Sequence, residues 1–198
     1  MATHLVIGDP HCTPKASNER FLWAGRLAAD YKVSHIICMG DFCSMDSLSS
    51  YDRAKKSFEG RRYQKDMEHS HNALALFNKG LGKHKARKIM LHGNHEDRID
   101  RFVDDNPELD GTLKISDLKF KQYGWQEIPY KKIKVIDGVH YCHHLPSGIM
   151  GSAISGENIA RTILTKHKVS ATVGHSHLLD YALSTLPNGK KLHGFFFF

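Results

Sequence analysis

Five short clusters of metal-ligand residue types punctuate this chain, each directly after an apolar, strand-like run. They read Gly8-Asp9-Pro10-His11, Gly40-Asp41, Gly93-Asn94-His95-Glu96, His143-His144 and Gly174-His175-Ser176-His177. Carboxylates, an amide and imidazoles together suit a pair of divalent cations. Position counts as much as type, because ligand sites of α/β sheets gather beyond the carboxyl ends of strands. A fold that brings these ends to one rim places Asp9, His11, Asp41, Asn94, His143, His175 and His177 around one cavity.

The hydrophobic periodicities supply such ends. Thr3 to Ile7, His35 to Met39 and Lys88 to Leu91 read as buried strands, separated by amphipathic helices over about 17–31 and 64–77. A short helix is expected from Glu96 to Asp105. Beyond Gly124 the pattern is strand-rich: Trp125 to Pro129, Lys132 to Ile136 and Val139 to Cys142. A helix over about 155–167 then leads to the strand Ala171-Thr172-Val173 and a hairpin around Pro187-Asn188-Gly189. Helices and strands alternate early and strands dominate late, which argues for a mixed α/β protein.

The tripeptide His-Ser-His provides an internal control, since it occurs at 69–71 and again at 175–177. The first copy lies in a helical stretch, where residues two apart point to nearly opposite faces and cannot share an ion. It reads as a solvated helix face. The second follows a strand and a glycine, where side chains at i and i+2 emerge on one side.

Composition narrows the class. A chain of 198 residues is large enough for one domain spanning 1–198 with a real core. No apolar run reaches the length of a membrane span and the N-terminus lacks a signal-peptide pattern, so the chain reads as cytoplasmic, with no membrane partner. Cys12, Cys38, Cys43 and Cys142 are scattered and read as packing residues rather than disulfides. The net charge of +7 suits a phosphate-bearing partner. Fifteen histidines are more than the five clusters use.

The order D-x-H, G-D, G-N-H-E, H, G-H-x-H, running from Asp9 to His177, resembles the calcineurin-like metallophosphoesterases, a superfamily of dinuclear metal hydrolases. The stretches Asp46-Ser47-Leu48-Ser49-Ser50-Tyr51 and Phe58-Glu59-Gly60-Arg61-Arg62-Tyr63, with the size of the chain, resemble its small phage-type members. The resemblance implies a two-sheet β-sandwich flanked by helices, in α/β/β/α layers. It also implies two divalent ions, Mn²⁺ first with Fe, Zn or Ni as alternatives. Asp9, His11 and His177 would hold one, Asn94, His143 and His175 the other, and Asp41 would bridge them. His143 is preferred to His144 because it directly ends its strand. Phosphate-ester hydrolysis by a hydroxide shared between the ions would follow, with His95 as general acid and Asp41 and Asn94 as its catalytic company.

One position departs from the family. The second cluster usually reads G-D-x-x-D, its last carboxylate orienting the catalytic histidine, whereas this chain reads Gly40-Asp41-Phe42-Cys43-Ser44. The Ser44 hydroxyl or Asp46 would have to stand in. Substrate contact is expected from a basic, aromatic-interleaved segment containing Arg53, Lys55, Arg61, Arg62, Tyr51 and Phe58, and from Arg98 one helical turn past His95. Arg98 has a surface ion pair with Asp97 as its alternative. A nucleic-acid or nucleotide phosphodiester is the favoured substrate; a phosphomonoester or phosphoprotein is the alternative, and a non-catalytic scaffold the reading from another class. The apolar finish Phe195 to Phe198 reads either as a truncated end with an unpaired edge or as a last strand tucked into a sheet.

Overall fold

The computed structural model describes residues 2–197. Four parallel strands form the first sheet in sequence order: β1 (His4–Ile7), β2 (His35–Cys38), β3 (Arg87–Leu91) and β4 (Trp125–Ile128). The second holds β5 (Lys134–Ile136), β6 (Val139–Cys142), β7 (Ser170–Val173), β8 (Asp180–Thr185) and β9 (Lys191–Phe196), in the order β5-β6-β7-β9-β8. Its strands β6, β7 and β9 are parallel, and β5 and β8 are antiparallel edges.

Period-two alternation explains why these runs are apolar throughout. On β2 and β3, Ile36 and Met90 pack into a core beneath the helices, while Ile37, Ile89 and Leu91 face the second sheet. Both faces are covered, as a parallel sheet requires. Helices α1 (Glu19–Asp30) and α2 (Tyr63–Leu81) cover the outer face of the first sheet with Phe21, Ala28, Leu74 and Phe77. A third helix, α3 (Arg98–Asp105), follows β3. The fourth, α4 (Ile159–His167), packs Ile159 and Ile163 against Val173 and Phe196 of the second sheet. The layers are α/β/β/α, the sandwich expected from the sequence.

Several local expectations change. Helix α4 begins at Ile159 rather than near Ser155, because residues 145–158 fold back on themselves through a Pro146–Ala153 bridge. Of the two readings of Phe195 to Phe198, the tucked strand describes Phe195 and Phe196, since β9 lies between β7 and β8, bonded on both sides; Phe198 lies outside the described residues. The first His-Ser-His is helical, yet it is no solvated face. Ser70 is fully buried in α2, and His71 Nε2 lies 2.7 Å from the Asp117 carbonyl oxygen.

Candidate metal centre and active site

The five clusters converge at the carboxyl ends of β1, β2, β3, β6 and β7. Backbone bonds tie the loops together before any side chain acts. The N–H groups of His11 and Cys12 donate to the carbonyls of Asp41 and Phe42 at 2.9 and 2.8 Å, and Gly174 N–H donates to the His143 carbonyl at 3.1 Å. The turns are tight. His11, Asp41, His175 and His177 all have positive φ, of 44°, 45°, 82° and 51°. Non-glycine residues there cost on the order of 1–3 kcal/mol each and persist only where the surroundings hold them. Four of the seven expected ligands carry that cost.

The side chains meet around Asp41. Its Oδ2 lies 3.4 Å from His143 Nε2, 3.8 Å from His11 Nε2 and 3.8 Å from His95 Nε2. On one side, Asp9, His11 and His177 each offer an atom within 4.8 Å of the others, with the His11 and His177 Nε2 atoms 3.1 Å apart. On the other, Asn94 Oδ1 sits 3.0 Å from His143 Nε2 and 2.9 Å from His175 Nδ1. Asp41 clusters with His11 and His95 on the first side and with His143 and His175 on the second. His144 stays outside them: its ring packs on Tyr130 and His175, at 5.4 and 5.3 Å.

This donor set fits divalent metal. Asp9 Oδ1 is buried without a hydrogen-bond partner, an arrangement that is costly unless a cation answers it. Two pairs of imidazole nitrogens, His11 with His177 and His143 with His175, approach within 3.1 and 3.2 Å. The electrostatics agree. Burial, reinforced by Asp41, pushes the Asp9 carboxyl up to about 7. Burial opposes charge on His143, but Asp41 and then Asp9 outweigh it and lift the imidazolium to about 9. Burial would likewise raise Asp41, yet His143 holds it below its ordinary value. Burial and the neighbouring His95 push His11 down to about 4, leaving a neutral ring. His143 is further aimed by its Nδ1–H, which donates to the Met39 carbonyl at 2.9 Å.

Glu96, quoted in the third cluster but given no role from sequence, is the knot beneath this centre. It is completely buried, and its carboxylate accepts from the N–H groups of Asp41 (2.9 Å), Gly93 (2.7 Å) and Cys43 (3.2 Å). One carboxylate thereby locks the loop carrying Asp41 to the loop carrying Asn94 and His95. Gly93 packs so closely on Asp41 that a side chain there would collide with its carboxylate.

His95 is held by a different group from those expected. Its backbone N–H donates to Asp41 Oδ1 at 2.8 Å, and its ring Nδ1–H donates to the backbone carbonyl of Ser44 at 2.7 Å. The carbonyl, rather than the Ser44 hydroxyl, supplies the acceptor. Asp46 turns towards Thr13 Oγ1, 3.5 Å away. Arg98 completes the support: it donates to the same Ser44 carbonyl at 2.8 Å and to His95 Nε2 at 3.1 Å. The ion pair with Asp97 belongs instead to Arg101, at 3.0 Å.

Two of the other arginines expected to touch substrate, Arg61 and Arg62, are used elsewhere. Arg61 pairs with Asp52 at 2.8 Å and donates to the carbonyls of Asp46 and Ser57, so it holds the 46–61 loop together. Arg62 donates to the Arg61 carbonyl at 2.7 Å and lines a separate pocket with Thr13, Lys15 and Lys65. Beside Asn94 a groove of about 410 Å³ runs between residues 48–53 and α3, lined by Tyr51, Arg53, Arg98 and Arg101 together with Asp104 and Asp105. Arg101 reaches back to the Asn94 carbonyl at 2.8 Å.

Among solved structures the chain is similar to the crystal structure of the Pseudomonas putida nuclease MPE, with 15% identity over 98% of this chain and 72% of that one, at a TM-score of 0.43. No curated protein matches it by sequence. The profile of the calcineurin-like phosphoesterases matches residues 3–179, which takes in every one of the five clusters. The chain belongs to the calcineurin-like phosphoesterase family.

Proposed function

We propose that this protein is a dinuclear metal phosphodiesterase acting on a nucleic-acid or nucleotide substrate, with Mn²⁺ as its working metal. The observation that carries the reading is Asp41, whose Oδ2 stands between His11 on one side and His143 on the other, at 3.8 and 3.4 Å. Asp9, His11 and His177 would hold one ion and Asn94, His143 and His175 the other, with Asp41 shared. When bound, the ions supply Lewis acidity and an activated water.

The protein's own contribution is placement. His95 is fixed through Nδ1–H on the Ser44 carbonyl and turns Nε2 to the cavity, so Nε2, which accepts from Arg98 in this structure, would be the nitrogen to carry a proton to a departing alkoxide once Arg98 turns to the phosphate. Arg98, anchored by the same carbonyl, keeps a guanidinium N–H beside His95 and within the groove, where a phosphoryl oxygen can take it. Arg53, Arg98 and Arg101 outnumber Asp104 and Asp105 along that groove, although Arg101 is paired with Asp97, and Tyr51, 83% exposed, stands at its rim. Such a surface suits a chain that continues past the scissile phosphate, with a neighbouring phosphate on arginine and a base on the ring. That continuation favours a diester over a monoester.

The test compares bis(4-nitrophenyl) phosphate with 4-nitrophenyl phosphate, each with Mn²⁺, using Asp41→Asn and His95→Ala as controls. Metal-dependent turnover faster on the diester, lost in Asp41→Asn, is expected. Preference for the monoester would reverse the substrate assignment. A folded, metal-loaded protein without turnover would make it a binding scaffold.

A further inference from the structure

The metal rim leaves several of the fifteen histidines without a function. Two of them meet at the other end of the sandwich. His4 and His35 are the first residues of β1 and β2 and sit directly opposite one another in the parallel register. Their rings pack edge to face with centroids 4.9 Å apart. Asp137, in the tight turn from β5 to β6, crosses from the second sheet and puts Oδ2 2.8 Å from His4 Nε2. One ligand atom from each of the three lies within 4.8 Å of the others.

We infer that His4, His35 and Asp137 form a second metal site, distinct from the rim, for a borderline divalent cation such as Zn²⁺ or Ni²⁺. Ring orientation carries the inference beyond proximity. His4 Nδ1 lies 2.8 Å from the Tyr141 hydroxyl, and His35 Nδ1 lies 3.0 Å from the Ser34 hydroxyl. Each imidazole is thus held at Nδ1 by a hydroxyl, which leaves Nε2 as the nitrogen a cation would take, as in metal-bound histidines whose other ring nitrogen is hydrogen-bonded. Two imidazoles and one carboxylate make a three-ligand set that water completes, with zinc and nickel preferred over the oxygen-seeking Mn²⁺ and Mg²⁺.

The surroundings permit a cation. His4 is mostly covered, with its side chain 13% exposed, whereas Asp137 is 56% exposed and open to incoming metal. Arg87 on β3, opposite His35, is exposed to solvent. At about 3.3 Å per residue, His4 lies on the order of 15 Å along the chain from Asp9. An ion there would tie the first sheet to the second at the end the catalytic loops do not reach. The competing account is a His4–Asp137 ion pair that binds nothing.

The experiment uses the full chain, stripped with chelator, reloaded with Zn²⁺ and desalted before its metal is counted. Wild type should retain one equivalent more than the double variant His4→Gln/His35→Gln, and Zn²⁺ should raise its melting temperature further. Asp137→Asn, on an exposed turn, serves if the double variant fails to fold; it should weaken this Zn²⁺ binding at least about tenfold. Mn²⁺-dependent hydrolysis should survive in these variants, which separates this site from the rim. Equal zinc content and equal thermal shifts in wild type and variants would overturn the inference in favour of the ion pair.

Discussion

His95 depends on a group that has no side-chain identity. The Ser44 carbonyl accepts from its Nδ1–H at 2.7 Å while the same oxygen takes Arg98 at 2.8 Å. The Ser44 hydroxyl is therefore dispensable, and Ser44→Ala should keep kcat/KM on the diester within about threefold of wild type, less than about 1 kcal/mol. A loss above tenfold in steady-state assays would show that the hydroxyl acts after all. Loss of the family's usual carboxylate consequently changes charge more than geometry at this position. Sequence reading weighs side chains, so it saw a weakened acid at residue 44 and could not see that a turn of backbone aims an oxygen there. The same blindness hid Glu96. Its motif was visible, but its three backbone donors come from loops that lie far apart in the chain and meet only on folding. The residues that meet at the rim were legible because metal chemistry restricts residue type, and a strand end sets His143 rather than His144 beside Asp41. The arginines were not. Arg61 and Arg98 carry the same charge, and only the fold shows that one holds a loop and the other a histidine.

At the scale of elements, local patterns gave the strands within a residue or two, since each must alternate between two buried faces. Strand order is different: nothing in a run of apolar residues says which neighbours it will take. That is why Phe195 to Phe198 could be read as a ragged edge when Phe195 and Phe196 belong to β9, the penultimate strand of the second sheet. Its two aromatic faces differ sharply. Phe196 is 1% exposed and packed with Ile163 and Val173, whereas Phe195 is 38% exposed. Phe196→Ala should cost about 3–5 kcal/mol through lost burial and a cavity. Phe195→Ala should cost within about 1 kcal/mol. Urea unfolding of the two variants measures both, and equal losses would contradict the placement of β9. The start of α4 was harder to read, because the polar stretch Ser155-Gly156-Glu157-Asn158 resembles a first helical turn as well as a loop.

The whole molecule separates its tasks by end. Sheet carboxyl ends carry strained loops, buried carboxylates and the groove, and the opposite end carries His4, His35 and Asp137. Parallel strands make this division natural, since they point all their carboxyl ends one way and leave amino ends for other uses. The central claim is that the rim holds two cations across Asp41. Anomalous diffraction from crystals loaded with Mn²⁺ tests it most directly. Two peaks about 3.5–4 Å apart, one beside Asp9, His11 and His177 and the other beside Asn94, His143 and His175, with Asp41 touching both, are the predicted result. A single peak, or a pair that Asp41 does not bridge, would contradict it.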